Sequence, residues 1–122
     1  MPSFGPGDTF LGGGQVHGKH HLWIIINDPA RREGMALFVN VTTLTEGMER
    51  TCLLRPGDHP FIKHDSCIHF ASAKSATVKQ LELLDARGLL QRRAPASPSL
   101  LATIRAGAQV SPNLPEKHLG LL

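Results

Sequence analysis

Five stretches of the chain are rich in apolar and β-branched residues, and turn-forming residues separate them. They cover residues 7–11, 21–26, 35–43, 51–54 and 66–71. The second stretch, HLWIII, is apolar at nearly every position, which predicts a central strand that is buried on both faces. In the third stretch, polar side chains begin only at the C-terminal end, and the period of two places Val39 and Val41 on one core-facing side. The pattern therefore predicts a sheet of short strands.

Two helices are predicted to follow the strands. Ser75 suits the N-cap of a helix over residues 76–87, which Gly88 would end. Ser97 and Pro98 suit the N-cap and first turn of a second helix. That helix has one apolar stripe, which predicts packing on the sheet or across a homodimer. The stripe consists of Leu100, Leu101 and Ile104.

Short links between the strands, with no helix between consecutive strands, favour an antiparallel sheet that curls into a small barrel. The predicted class is therefore mainly β, with one or two helices at the C-terminal end. Residues 1–90 are predicted to form the barrel domain with one helix. Residues 91–122 are predicted to hold a linker, a short helix and a loose C-terminal tail rich in turn formers.

Composition narrows the class of protein. The formal net charge is +3, and residues 62–122 carry all the excess positive charge, which permits a nucleic-acid partner. No apolar run is long enough to span a bilayer, and the N-terminal residues lack the pattern of a secretory signal. Cys52 and Cys67 do not form a CxxC pair, which excludes a zinc ribbon. We therefore predict a cytoplasmic protein with reduced thiols.

The order of four short segments resembles the MazF/PemK family of toxins. These segments are GDTF at residues 7–10, HLWIIIND at 21–28, LFVNVTT at 37–43 and KHDS at 63–66. The resemblance covers about residues 6–85. It implies an SH3-like barrel, a homodimer, cleavage of single-stranded RNA without a metal, and neutralisation by an antitoxin protein.

Some positions differ from the pattern of that family. The resemblance implies an arginine in the first long loop and a threonine or serine at the end of the third strand. Here Lys19, His20 and His21 stand at the loop position, while Thr42 and Thr43 fit the hydroxyl position. The family also often has an Arg-Thr pair after the KxDS strand, whereas residues 71–74 are ASAK. The resemblance therefore implies the barrel more strongly than it implies cleavage.

Metal-independent RNA cleavage needs a base, an acid and groups that bind the phosphate. Histidine suits both proton-transfer roles because its ordinary pKa is about 6.5. We therefore predict that His21, Thr43 and His59 are the catalytic residues. The residues predicted to bind the substrate are Lys19, His20, Thr42, Lys63 and Lys74. No cofactor is predicted.

Two alternatives stay open from the residues alone. The first alternative is a non-catalytic barrel that binds nucleic acid or a protein partner. Such a protein would bind RNA with strong salt dependence and would not cut it. His59 would then simply hold a turn by bonding a backbone carbonyl. A zinc site is the second alternative, because imidazoles are available for one. Its ligands would be His17, His20 and His21, with His59 or His64.

Overall fold

The computed structural model describes residues 4–12 and 21–122, in which seven strands, two α-helices and three 3₁₀ helices occur. The strands are β1 (Thr9–Gly12), β2 (His21–Ile25), β3 (Met35–Thr43), β4 (Leu53–Leu54), β5 (Ser66–Ile68), β6 (Lys74–Thr77) and β7 (Gln91–Arg93). The α-helices are α1 (Val78–Ala86) and α2 (Pro98–Val110). The 3₁₀ helices are Pro29–Arg31, Phe70–Ser72 and Glu116–Leu121. Within these residues no helix is long and apolar enough to cross a membrane.

The strands form one antiparallel sheet, as the sequence predicted. The structure gives their order as β4-β5-β3-β2-β1-β7, with β6 also paired to β3. Strand β3 is the longest, and it pairs with three other strands. One of its edges pairs with β2, while β5 and β6 pair with its C-terminal and N-terminal halves respectively. Because two separate strands share the same edge of β3, the sheet bends around that strand in the barrel-like manner expected.

Both faces of β2 are buried, which confirms that it is a central strand. Leu22 and Ile24 join the larger core cluster together with Val39 and Val41 of β3, so these two valines face the core as predicted. Trp23 and Ile25 belong to a second cluster on the other face, where α1 packs through Leu81. Alternate side chains of β2 therefore belong to the two hydrophobic clusters on opposite faces of the sheet.

The first helix begins later than its sequence suggested, because residues 74–77 pair with residues 35–38 of β3 as strand β6. Ser75 is therefore not the N-cap. Thr77 caps α1 instead: its side chain accepts from the N–H of Gln80, and the Gln80 side chain accepts from the N–H of Thr77. This reciprocal pair is a capping box, and it can form only where the strand ends.

The C-terminal third differs from the predicted linker and loose tail. Residues 91–93 form β7, which pairs with β1, and α2 packs on the larger core through Leu100 and Ile104. The tail docks as well: Leu114 and His118 are buried, and the Nε2–H of His118 donates to the carbonyl oxygen of Ala73 at 3.1 Å. Apolar and imidazole contacts thus order a segment whose composition is typical of turns.

Docking of His118 should make stability depend on pH. Burial and the nearby charge of Lys117 lower the pKa of His118 below its usual value, although its bond to Ala73 acts the other way. The unfolded chain therefore binds more protons below about pH 6.5, and the free energy of unfolding should fall as the pH drops through that value. Urea unfolding of the wild type and of His118→Gln, at several pH values between about 8 and 5, tests this. Equal pH slopes for the two proteins would contradict it.

Candidate functional site

The face of the sheet opposite the larger core carries a group of polar side chains at one end. Leu22 pairs with Val41, and both point into the larger core. Because side chains alternate along a strand, the next residue on each strand, His21 and Thr42, belongs to the opposite face at that end. The predicted residues His21 and Thr42 are therefore neighbours on one surface, which we call the outer face.

His69 joins the outer face from the next strand over. Ile68 pairs with Val41 and is a core residue, so His69, which follows it, is placed beside Asn40 instead. The N–H of His69 donates to the carbonyl oxygen of Asn40 at 3.1 Å, and its ring Nδ1 lies 2.5 Å from the hydroxyl oxygen of Ser72 in a hydrogen bond. The imidazole is half-buried, with one nitrogen held and its orientation set by Ser72.

Strands β2 and β5 flank β3, and His21 lies at the level of Thr42 while His69 lies at the level of Asn40. Two strand spacings and a two-residue offset place their backbones about 12 Å apart. Thr42 lies on the strand between them. The two histidines and Thr42 therefore share one face of three neighbouring chain segments. His69 was not among the predicted site residues, although the alternation along residues 66–71 puts it on the opposite face from the buried Ile68.

A carboxylate lies close enough to His69 to interact with it electrostatically. Burial opposes ionisation of Glu49, but hydrogen bonds from Ser111, Thr51 and Asn113 outweigh burial and lower its pKa, and His69 adds to the lowering. The hydroxyl groups of Thr51 and Ser111 each donate to Oε2 at 2.5 Å. Glu49 is therefore ionised near neutral pH and supplies a fixed negative charge beside the imidazole of His69.

Asn40 lies between Trp23 and His69 on the outer face and is 6% exposed. Its Oδ1 is buried and has no hydrogen-bond partner among the described residues. A buried acceptor without a donor costs about 1–3 kcal/mol, so such atoms are uncommon in folded proteins. Within the described residues, Asn40 is therefore an unsatisfied buried acceptor between Trp23 and His69.

Lys74 reaches the outer face from β6. It pairs with Phe38 of β3, and its Nζ lies 5.3 Å from the centroid of the Trp23 ring, which is a cation–π distance. The structure therefore brings a predicted substrate-binding lysine to the face that carries His21 and Thr42. Lys19 and His20, the other predicted substrate-binding residues of the first loop, lie outside the described residues, as does His17.

A cleft of about 450 Å³ opens at the C-terminal end of β3. It brings together three residues from the sequence prediction, because Thr42, Thr43 and Lys63 all line it. The remaining lining residues are Val41, Pro60, Phe61, Ile62, His64 and Ser66. Thr43 is exposed there, and because side chains alternate along β3 it belongs to the side that carries Val41, whereas Thr42 belongs to the outer face. The cleft therefore brings together Thr43 and Lys63 on one side of β3, while His21 belongs to the outer face on the other side.

His59 does not belong to this site. It is 3% exposed, its Nδ1 accepts the N–H of Phe61 at 3.0 Å, and its Nε2–H donates to the carbonyl oxygen of Ala94 at 2.6 Å. Both ring nitrogens are occupied in one neutral tautomer, so the ring has no free position with which to move a proton of a substrate. The structure therefore does not bring His59 together with the other predicted catalytic residues, and it gives the imidazole the backbone carbonyl contact expected of a residue that holds a turn.

The cysteines are unsuited to nucleophilic chemistry. Burial raises the pKa of Cys52 to about 11, and burial also raises the pKa of Cys67, which pairs with Thr42 on β3. Neither thiol is ionised near neutral pH, and the thiolate is the reactive form. Among residues 4–12 and 21–122, no three histidine, cysteine or acidic side chains are grouped so as to hold a metal ion.

Known structures share this fold. No protein-family model matches the chain, and no curated protein matches its sequence. The chain is similar to one from the MazE–MazF complex of Deinococcus radiodurans, with a TM-score of 0.58 and 14% identity over 88% of this chain and 94% of that one. It is also similar to an endoribonuclease in complex with its cognate antitoxin from a mycobacterial species. That match has a TM-score of 0.55 and 15% identity over 90% of this chain and 98% of the other.

Both similarities extend over most of each chain, and the identity is low. The protein therefore has the fold of MazF-like toxins, as the segment order in its sequence implied.

Proposed function

We propose that the protein is a MazF-like toxin that cuts single-stranded RNA without a metal ion and that an antitoxin protein keeps in check. The observation that carries the proposal is the outer face, where His21, Thr42 and His69 lie on three neighbouring strands. The fold adds support, because solved proteins with this fold include an endoribonuclease bound to its antitoxin. Action in the cytoplasm, where the RNA and the free thiols would be found, belongs to the same proposal.

The chemistry needs no group from outside the chain. One imidazole removes the proton of a ribose 2′-hydroxyl, and the 2′-oxygen then bonds to the adjacent phosphorus. The bond from phosphorus to the 5′-oxygen breaks, and the second imidazole donates a proton to that oxygen. The products are a 2′,3′-cyclic phosphate and a 5′-hydroxyl. The Thr42 hydroxyl and the Lys74 ammonium bind the non-bridging phosphate oxygens, on which negative charge increases.

The test is cleavage by the purified full chain. We expect single-stranded RNA to be cut in the presence of a chelator, with 2′,3′-cyclic phosphate and 5′-hydroxyl ends detected by mass spectrometry. The matched control is the same strand in a duplex, which should be cut far more slowly because its 2′-hydroxyls are held out of line with the leaving oxygens. Intact RNA after long incubation with the wild type would contradict cleavage.

A non-catalytic barrel is the second candidate. The observation that favours it is that β2, β3, β5 and β6, the strands that carry or lead into the described outer-face residues, contain no arginine. Arginine is the side chain that binds phosphate through two parallel hydrogen bonds. In this case the chain would bind the RNA with strong salt dependence and release it uncut. The binding slope against salt and the cleavage assay, measured on the same preparation, separate the two functions.

The antitoxin and the homodimer are the partners in this proposal. Solved relatives of this fold were determined as complexes with an antitoxin, which makes a second protein the natural partner. The homodimer rests on the family resemblance alone. Stripe residues Leu100 and Ile104 of α2 are buried in the chain's own core, so that stripe is not the dimer surface. Sedimentation equilibrium tests the dimer directly.

A further inference from the structure

The turn between β5 and β6 carries two residues of the outer face. His69 precedes the 3₁₀ helix Phe70–Ser72, and Lys74 begins β6 two residues after that helix ends. The N–H of Ser72 donates to the His69 carbonyl oxygen at 3.0 Å, and the Ser72 hydroxyl is bonded to the His69 ring. A single 3₁₀ turn has poor hydrogen-bond geometry of its own. The orientation of the His69 imidazole therefore depends on what holds this turn from outside.

The docked C-terminal tail holds the turn at Ala73. The Nε2–H of His118, which is 4% exposed, donates to the carbonyl oxygen of Ala73 at 3.1 Å. Ala73 stands between Ser72, which orients the His69 ring, and Lys74, whose Nζ lies over the Trp23 ring. Because the peptide group is planar, fixing this carbonyl also fixes the direction in which the chain enters β6. A side chain 45 residues away in sequence therefore restrains the residues on both sides of Ala73.

Close packing against α2 is the second anchor of the turn. Phe70 is fully buried, and a Cβ atom built on Gly107 would lie 3.1 Å from the Phe70 ring and 3.2 Å from the Cβ of Cys52. These distances are shorter than ordinary carbon–carbon contacts. Glycine weakens a helix relative to alanine, and here it lets the backbone of α2 lie directly against Phe70. The position of the turn is therefore set by α2 as well as by the tail.

The end of α2 also holds the carboxylate beside His69. The Ser111 hydroxyl donates to Oε2 of Glu49 at 2.5 Å, and the Asn113 side-chain amide donates to Oε1 at 3.1 Å. Both carboxylate oxygens are thus bonded by residues at the end of α2 and just after it. A nearby negative charge favours the protonated form of an imidazole. Residues 107–118 therefore contact the His69 turn at two points and fix the position of its acidic neighbour.

We propose that residues 107–118, which we call the brace, position His69 for proton transfer, with His118 as the residue that sets the turn. The brace acts through Ala73, Phe70 and Glu49, and its own residues take no part in binding RNA. The inference rests on the proposed function for the reaction in which His69 acts. Catalytic groups are effective only in a narrow range of positions, so a small shift of the turn should slow the reaction.

Two substitutions of His118 separate the bond to Ala73 from the presence of the tail. Leucine is a side chain of comparable size that cannot donate to the carbonyl oxygen, whereas the amide of glutamine can. We expect His118→Leu to lower the single-turnover cleavage rate about 10- to 100-fold, and His118→Gln to stay within about threefold of wild type. Leu119→Ala is the matched control, because Leu119 is the next residue of the same 3₁₀ helix and is exposed. All rates are measured where urea unfolding shows each variant to be fully folded.

Two further measurements distinguish positioning from loss of binding. The first is binding of a single-stranded oligonucleotide in which every ribose is 2′-O-methylated, so that it cannot be cut; His118→Leu should bind it within about twofold of wild type. The second is the nitrogen NMR signal of the His69 Nδ1, assigned by its loss in His69→Gln. His118→Leu should shift this signal because the bond to Ser72 changes, whereas His118→Gln and Leu119→Ala should leave it in place.

Gly107→Ala tests the brace at its other anchor. The added methyl group presses on Phe70, so this variant should also shift the His69 signal and slow cleavage, while alanine favours the helix. If His118→Leu does not fold, Gly107→Ala decides the question by the same two measurements. An unchanged His69 signal together with an unchanged rate, in a folded variant, would overturn the proposal.

The outcomes separate the brace from the proposed function. If wild type cuts RNA and His118→Leu cuts it equally fast with the same His69 signal, the brace is wrong and the nuclease stands. If His118→Gln is slowed as much as His118→Leu, the bond to Ala73 does not set the turn and the role of His118 is wrong. If the His69 signal shifts in His118→Leu alone but wild type never cuts RNA, the brace holds His69 as proposed and cleavage is wrong.

Discussion

Replacing His69 with glutamine is expected to slow cleavage of single-stranded RNA by about 10²–10⁴-fold, the usual loss when one general acid or base is removed. Glutamine keeps a polar group that can still bond the Ser72 hydroxyl, but it cannot carry a proton between atoms of the substrate. Replacing His21 by glutamine should have a similar effect, because His21 is the second imidazole of the outer face. Single-turnover rates under chelator, with enzyme in excess over RNA, measure both losses.

The pH profile distinguishes proton transfer from a merely structural role. Two titrating imidazoles give wild type a bell-shaped dependence of rate on pH, and each variant should lose one limb of that bell. Lys79→Gln, an exposed change on α1, is the control for altered net charge and should keep the wild-type rate within about twofold. A His69→Gln protein that cuts RNA at the wild-type rate and with the same pH profile would show that His69 takes no part in the reaction.

Replacing His59 with alanine is expected to lower the free energy of unfolding by about 2–4 kcal/mol. The change removes the hydrogen bond from the N–H of Phe61 and one of the two bonds to the carbonyl oxygen of Ala94, which still accepts from the Thr9 hydroxyl. Each lost bond costs about 0.5–1.5 kcal/mol. It also removes a ring that is 3% exposed and so opens a cavity. Urea unfolding, followed by the fluorescence of Trp23, measures the shift in the midpoint urea concentration. The dependence of the free energy of unfolding on urea concentration should stay the same.

The control for this prediction is His64→Ala, in the same loop. His64 is exposed, so its removal should change the free energy of unfolding by no more than about 0.5 kcal/mol. Equal midpoints for His59→Ala and wild type would mean that the two hydrogen bonds of His59 do not stabilise the fold. Cleavage by the folded fraction of His59→Ala should persist, in contrast to His69→Gln, since His59 lies away from the outer face.

Local patterns predicted most of the fold because the strands and helices obey strong local rules. The apolar run at residues 21–26 became a strand buried on both faces, and the strand at Met35–Thr43 was predicted with its observed bounds. Ser97 and Pro98 marked the start of α2, where the Ser97 side chain accepts the N–H of Leu100. These elements depend on side-chain periodicity and capping, which are properties of neighbouring residues.

The helix at residues 76–87 shows where local rules are insufficient. Ser75 and Thr77 are both acceptable N-caps, and the choice was made by pairing of residues 74–77 with β3, far away in the chain. Residues 91–93 were predicted to belong to a linker. They form strand β7 because they pair with β1, which is also far away in the chain. A strand of three or four residues has too little pattern of its own to be predicted.

The sequence by itself determined which residue types are available: histidines, lysines and threonines in the links and at the ends of apolar strands. Only the tertiary structure decided which of them meet. The register between β3 and the strands beside it brings Thr42 together with His21 and His69, while a carbonyl group 35 residues away in sequence holds His59 in the interior. The reason is physical: a histidine's chemistry depends on which partners its two ring nitrogens have and on its access to a ligand. Those partners come from strand pairing over long distances in sequence, which no local pattern records.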